Sequence, residues 1–205
     1  MFLVKQPSDE NIRRFISSQK QQPFSYSEIG ATREKLPANY TIDHNRIKLG
    51  TGQRTYERAV VALRSWKHFD LGWGRIVPPE TPIQVGATVA MLARHFGFWS
   101  LNACRIVYVM ADEIEAEDSG MAVPGTAASM RKFAFAYGTL PDHAECGEER
   151  FTVEWHTEDD AVWYDLLAFS RPHSLAAKLG YPLARQLQKR FARESLTAMT
   201  KAAAG

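Results

Sequence analysis

The chain has 205 residues, of which 45% are hydrophobic and 23% charged, as in a single globular domain. Its net charge of +2 lacks the cation excess of a nucleic-acid-binding protein, and its two cysteines exclude a disulfide framework or a four-cysteine zinc site. No apolar run approaches the roughly 18 residues that span a bilayer, and "MFLVKQPSDE" lacks a signal-peptide core. We therefore predict one domain over 1–205, located in the cytoplasm, with no nucleic-acid partner and no stable membrane insertion.

The N-terminal part begins with a predicted helix over 8–19, in which apolar residues recur every three or four positions and Ser8 is a favourable N-cap. Residues 20–38 contain proline and glycine without a sustained period, which predicts an ordered loop. An extended segment is expected over 40–49, where a turn at "DHN" would interrupt it.

Two longer helices are amphipathic. In "TGQRTYERAVVALRSWKHF" the apolar side chains share one helical stripe: Tyr56, Ala59, Val60, Leu63 and Trp66. The C-terminal segment repeats an apolar residue at every fourth position from Leu175 to Phe191. Gly180 and Pro182 interrupt this repeat, and they suit the end of one helical piece and the first turn of the next.

Extended segments occupy the middle of the chain, at 71–77, 87–96, 104–112, 132–140, 149–157 and 161–170. Several alternate between apolar and polar residues, and "HTEDDAV" predicts a hairpin between the last two. The stretch 112–131 predicts a long mobile loop. The order of elements predicts an α+β fold, in which a curved antiparallel sheet of six to seven strands wraps around a long C-terminal helix, with an extra N-terminal helix. Such an arrangement often leaves a cavity between sheet and helix.

A polar stretch, "DHAEC", lies between Pro141 and Gly147 and predicts a hairpin connection with a solvated tip at 142–148. Its histidine, cysteine and glutamates are potential metal ligands, but their spacing matches no compact ligand motif. We therefore predict neither a metal nor a cofactor.

Two acids fall on apolar strand faces. Glu149 lies on the same strand face as Phe151, and Asp165 lies on the same face as Trp163. Each is either a structural acceptor paired with an arginine or backbone donor, or a cavity acid that holds a ligand or exchanges protons. Adjacent strands would bring both acids together, and the loop "GATREKLP" could cover the cavity mouth. The candidate ligand-binding residues are Tyr137, Thr139, His143, Glu149, Trp155, Trp163, Asp165 and Arg33.

The blocks "IKLGTGQRTYERAVVALRSWKHFDLGW", "YGTLPDHAECGEERF" and "FSRP" resemble the domain-of-unknown-function 1990 family over about residues 24–200. This uncharacterised family, found in bacteria and plants, is similar to the Bet v 1/START-like helix-grip superfamily. The resemblance implies a fold whose members commonly bind hydrophobic ligands and sometimes catalyse reactions in the cavity. Cys146 falls at a variable position of the pattern, which counts further against a metal site.

Three functions are therefore open. The first is binding of a small apolar ligand between the sheet and the C-terminal helix. The second is an enzyme that uses Glu149 or Asp165 with His143 for acid–base chemistry. The third is a homodimeric interaction module without a ligand.

Overall fold

The computed structural model describes residues 2–115, 130–172 and 181–205. The strands are β1 (Phe2–Leu3), β2 (Thr41–Thr51), β3 (Gly74–Val77), β4 (Thr88–His95), β5 (Phe98–Glu115), β6 (Met130–Thr139), β7 (Glu145–His156) and β8 (Ala161–Pro172). The helices are α1 (Asp9–Gln19), α2 (Gln53–Arg64) and α3 (Tyr181–Ala204), with short 3-10 turns at Ala31–Arg33 and Lys67–Phe69.

The strands form one antiparallel sheet in the order β2-β8-β7-β6-β5-β4-β3, and β1 pairs with the start of β5. Bulges in β2 and β5 interrupt the register, and bulges bend a sheet. The curved sheet wraps around α3, so the predicted α+β helix-grip arrangement and the extra N-terminal helix are confirmed.

The inner face of the sheet packs against α2 and α3. Alternation along β6, β7 and β8 brings large side chains to this face: Phe133, Phe135, Tyr137, Phe151, Val153, Val162, Tyr164 and Leu166. A buried hydrogen bond of 3.0 Å between the hydroxyls of Tyr164 and Ser195 fixes α3 to the sheet. The largest apolar cluster therefore lies between the concave face and these two helices.

The outer face is covered by α1 and by residues 24–40, which we call the outer strap. Helix α1 begins at Asp9, and its N-cap Ser8 accepts a hydrogen bond from the backbone of Asn11, as predicted. The apolar side of α1 packs on β4 and β5, and Arg105 donates to the carbonyls at the helix end. These two segments bury the face that α2 and α3 leave open.

Several predicted boundaries need correction. No turn occurs at "DHN", because the pairing with β8 carries β2 through it. Strand β5 begins at Phe98, after a tight turn in which Phe96 and Gly97 both have positive φ. The tip expected over 142–148 is shorter, since β7 starts at Glu145.

Two predictions fall partly on undescribed residues. The loop predicted over 112–131 starts later, because β5 runs to Glu115 and β6 begins at Met130; residues 116–129 lie outside the described part. The first piece of the C-terminal repeat, within 173–180, also lies outside it. From Tyr181 onward the predicted helix is present.

A fully buried histidine lies at the centre of the inner core. His68 has no exposed surface, neither of its ring nitrogens has a hydrogen-bond partner, and the rings of Trp66, Phe69, Phe135 and Phe151 surround it. Burial lowers the pKa of His68 from 6.5 to about 3, since a charged imidazolium has no solvation there.

Replacing His68 by phenylalanine should therefore reduce the sensitivity of the protein to acid. Below pH 6.5 the unfolded chain binds a proton at this position and the folded chain does not, so stability falls as the pH falls towards about 3. At pH 5 this effect lowers the free energy of unfolding by about 2 kcal/mol relative to pH 7. Urea unfolding gives the free energy of unfolding of each protein at pH 7 and pH 5. The decrease between the two pH values should be smaller by that amount in H68F than in wild type, and equal decreases would contradict the assignment.

Candidate functional site

A cavity of about 950 Å³ lies between the concave face and α3. It is lined at the end of the sheet where the β6–β7 connection and the β4–β5 turn meet the start of α3. Most of its lining is apolar, with Trp73, Met91, Leu166, Leu187 and Phe191 among the contributors. A concave and largely apolar space with a few polar groups is the usual form of a small-molecule site.

Two polar side chains that line the cavity, Tyr137 and Glu149, border the closed core, and we call this pair the cavity floor. The hydroxyl of Tyr137 donates a hydrogen bond of 2.7 Å to Glu149, its register partner on the neighbouring strand. One alternation further along β7, Phe151 is fully buried in the aromatic core. Tyr137 and Glu149 are therefore where the polar lining meets the closed core.

Burial raises the pKa of Glu149 from 4.5 to about 7, because the surrounding apolar wall solvates the charged form poorly. The hydrogen bond from Tyr137 opposes this rise, and the negative charge of Asp43 adds to it. Burial likewise raises the pKa of Tyr137 well above 10, so its hydroxyl remains a donor. The cavity thus contains a carboxyl group that exchanges its proton near neutral pH.

A polar network near the start of α3 joins the helix to three strands. Arg185 forms a bidentate ion pair with Asp43 of β2. Gln188 donates to Glu145 of β7 at 3.0 Å and to Ser170 of β8 at 3.1 Å. Because every member is hydrogen-bonded, this network fixes α3 against the sheet.

Trp73, next to β3, and His95, at the end of β4, also line the cavity. The ring of Trp73 lies 5.0 Å from that of His95, and Trp73 Nε1 donates to Glu194 at 2.7 Å. The Nδ1 atom of His95 is buried without a hydrogen-bond partner. Burial lowers the pKa of His95 below 6.5, with the charge of Arg190 adding to the effect.

The structure brings four of the eight candidate residues to the cavity. Tyr137 and Glu149 lie at the floor, and Thr139 and His143 line the space nearer the β6–β7 connection. His143 is half-buried, with Nδ1 3.1 Å from the backbone nitrogen of Glu145. Of the convergence expected from adjacent strands, the part on β6, β7 and their connection is present, but Glu149 and Asp165 do not meet in the cavity.

The expectation that Asp165 faces the cavity is corrected. Strand alternation puts it on the outer face, where its carboxyl lies 2.5 Å from His44 Nε2 and 3.3 Å from the guanidinium of Arg150. Asp165 is 4% exposed, so these partners compensate its burial. It matches the structural acceptor of the sequence analysis, and it lies beyond reach of a ligand in the cavity.

Three further candidates also lie outside the cavity. Trp163 is on the outer face beneath the guanidinium of Arg46, 4.7 Å from the ring centroid. Arg33 belongs to the outer strap and covers the ring of Tyr108. Trp155 does face inward, but it packs beside Tyr56 at the opposite end of the sheet.

Sequence reasoning missed several lining residues, among them Asp43, Trp73 and His95. Asp43 belongs to a strictly alternating strand, and this signal was obscured by the turn expected at "DHN". Trp73 and His95 come from the far edge of the sheet, and no local pattern indicates that they face α3.

Glu148, expected at the solvated tip, is 2% exposed and holds the outer strap. Its carboxylate accepts from the Tyr26 hydroxyl at 2.7 Å, the Gly30 amide at 2.7 Å, the Thr32 amide at 3.1 Å and the Thr32 hydroxyl at 2.5 Å. A Cβ at Gly138 would lie 2.2 Å from the Tyr26 hydroxyl oxygen. Gly138 of the "YGT" block leaves room for the Tyr26 ring, and Glu148 of the "GEE" block accepts a hydrogen bond from its hydroxyl.

Within the described residues, no three His, Cys, Asp or Glu side chains come together as a metal-binding group. Of the helices in those same ranges, none combines the length and apolar character needed to cross a bilayer.

Comparisons with solved structures return folds of low sequence identity. The chain is similar to human STARD10, with a TM-score of 0.44 and 11% identity over 97% of this chain and 80% of that one. It is also similar to Ara h 8.0201, with a TM-score of 0.47 and 9% identity over 80% of this chain and 98% of that one.

Sequence comparisons give much closer relatives. A UPF0548 protein of Dictyostelium discoideum is 38% identical over 98% of this chain and 95% of the relative, and one of Deinococcus radiodurans is 32% identical over 99% of both. A UPF0548 protein of Arabidopsis thaliana is 34% identical over 79% of this chain and 73% of its own length. The model of the domain of unknown function DUF1990 matches residues 25–198, and the chain therefore belongs to the DUF1990 family, which confirms the resemblance carried by its sequence blocks.

Proposed function

We propose that the chain binds a small, largely apolar molecule in the cavity between the sheet and α3. The observation that carries this proposal is the apolar space of about 950 Å³ with the Tyr137–Glu149 pair at its floor. Binding there removes apolar surface from water at about 25 cal/mol per Å², while the few polar groups orient the ligand.

The polar residues have different roles in this proposal. Tyr137 and Glu149 contact the polar group of the ligand, because they are a hydrogen-bonded polar pair where the lining meets the closed core. Thr139 and His143 line the route by which it enters. The ion pair of Arg185 with Asp43 holds α3 in place and thereby keeps the space open.

Filling the cavity tests the proposal. Ala168 of β8 lines the cavity, so A168W should insert an indole into the space and reduce binding of the fluorescent dye 1-anilinonaphthalene-8-sulfonate at least tenfold. V61W places the same side chain on α2 at a position 64% exposed, and its binding should match wild type. Native mass spectrometry of gently purified protein should show a bound small molecule in wild type and none in A168W. Equal dye binding in all three proteins, with no co-purified molecule, would contradict ligand binding in this cavity.

An enzyme is the second candidate, and the pKa of about 7 at Glu149 favours it, since a general acid or base works best near the ambient pH. Of the acids named in the sequence analysis, Glu149 alone remains for this role, with His143 nearer the entrance. Substrate turnover that is lost in E149Q, with a pH profile centred near 7, would support catalysis over binding alone. The cytoplasmic location and the homodimer stay predictions, which cell fractionation and light scattering check.

A further inference from the structure

We propose that the ligand of this cavity carries a protonatable amine, whose ammonium group pairs with Glu149 at the cavity floor. This inference rests on the proposed function and names the chemical class of its ligand.

The carboxyl groups of the cavity differ in their partners. Asp43 is paired with Arg185, and Glu145 accepts a hydrogen bond from Gln188. Glu149 accepts only from the neutral hydroxyl of Tyr137, and no cation of the described residues forms an ion pair with it. The floor therefore presents a carboxylate whose charge the protein leaves unbalanced, and burial without a counter-charge is costly.

The aromatic lining also favours a cation. Phe191 also lines the cavity, its ring packs on Phe69 as the floor residue Tyr137 does, and aromatic rings attract cations. A ligand carboxylate would instead meet the charges of Glu149 and its neighbours. An amine with an apolar body satisfies the carboxylate, the rings and the apolar wall together.

The groups around Glu149 show which charges act on it. They are Asp43 on β2 with its partner Arg185, Cys104 on β5, Tyr137 on β6, Tyr164 on β8, His143 and Glu145 near the β6–β7 connection, and Lys189 and Arg193 on α3. Lys189 and Arg193 are both exposed, and Arg185 is engaged by Asp43. Among the residues that the structure describes, no cation forms an ion pair with Glu149 in place of the ligand's ammonium.

The pairing makes affinity depend on pH in a defined direction. Below pH 7 Glu149 holds a proton, which must leave before an ammonium can pair with the carboxylate. The affinity for an amine should therefore fall about tenfold for each pH unit below 7 and level off above it, as long as the amine itself stays protonated. The affinity for a neutral alcohol should not follow this dependence.

Octylamine, octan-1-ol and octanoic acid are matched probes, because they share one alkyl chain and differ in the polar group. Calorimetric titration of the full chain between pH 5.5 and 8.5 should show octylamine binding at least tenfold more tightly than octan-1-ol at pH 8. E149Q should abolish this preference while still binding octan-1-ol. E154Q makes the same change on the same strand but on the outer face, where Glu154 pairs with Arg46, and it should keep the preference.

A second variant separates the carboxyl group from its hydrogen bond. Y137F keeps Glu149 and removes a donor that lowers its pKa, so the preference for octylamine should remain while the midpoint of its pH dependence moves above 7. A loss of folding alone would not produce this shift.

The outcomes distinguish the two proposals. If octan-1-ol binds and octylamine shows no preference over it, or if E149Q retains that preference, the amine assignment is overturned and ligand binding stands. If none of the three probes binds, and A168W behaves like wild type with the dye, ligand binding in the cavity is itself overturned.

Discussion

Replacing Glu148 by alanine is expected to lower the free energy of unfolding by about 3 kcal/mol or more, because several buried donors lose their acceptor together. The carboxylate accepts four hydrogen bonds from the outer strap. The Gly30 amide, the Thr32 amide and the Tyr26 hydroxyl belong to the strap and face the sheet, where water cannot readily replace the lost partner. Urea unfolding measures the loss, and limited proteolysis should show earlier cleavage within 24–40.

Two comparisons make this result specific to the buried carboxylate. E148Q keeps one acceptor oxygen and replaces the other with an NH₂ donor, which faces the donors of the strap. Its free energy of unfolding should therefore lie between those of wild type and E148A. E10A removes an exposed glutamate that pairs with Arg14, and its effect should stay within about 0.5 kcal/mol. A loss in E148A no larger than that in E10A would contradict the assigned role.

Replacing Gly147 by alanine should destabilise the protein as much as the Glu148 substitution does. The free energy of unfolding should fall by about 3 kcal/mol, for a steric reason. A Cβ at this position would lie 1.9 Å from the carbonyl oxygen of Phe169 on the neighbouring strand. The obstructing atom belongs to the backbone, so β7 and β8 must separate where Gly147 pairs with Ser170. Thermal unfolding monitored by circular dichroism should show a clear decrease in Tm.

Gly72 provides the matched control for this substitution. A Cβ added there meets no atom within 4 Å, so G72A should leave Tm nearly unchanged. If G147A unfolds at the same temperature as G72A, the strands tolerate a side chain at 147 and the steric argument is wrong.

Local patterns predicted most of the fold. The apolar stripe of α2 and the alternation of β6 to β8 each have a period that only one type of element satisfies, so both were identified correctly. The start of β5 was missed because "HFGFWS" is apolar without alternation, and its tight turn depends on the positive φ of Phe96 and Gly97.

The candidate site was predicted in part, for a related reason. Alternation placed Glu149 and Tyr137 on the correct face because their strands carry a clear apolar row. The same row around Asp165 belongs to the outer face, which the outer strap covers with Tyr26 and Tyr40 against Phe169. An apolar row indicates that a strand face is buried, and it does not indicate which layer buries it.

Glu148 and Glu149 are adjacent in the chain and serve opposite faces of the sheet. Glu148 secures the outer strap, and Glu149 accepts a hydrogen bond from Tyr137 at the cavity floor. Inner residues can therefore be exchanged while the contacts that anchor the strap remain intact. The face that lines the cavity and the face that holds the strap can therefore change independently of one another in redesigned variants.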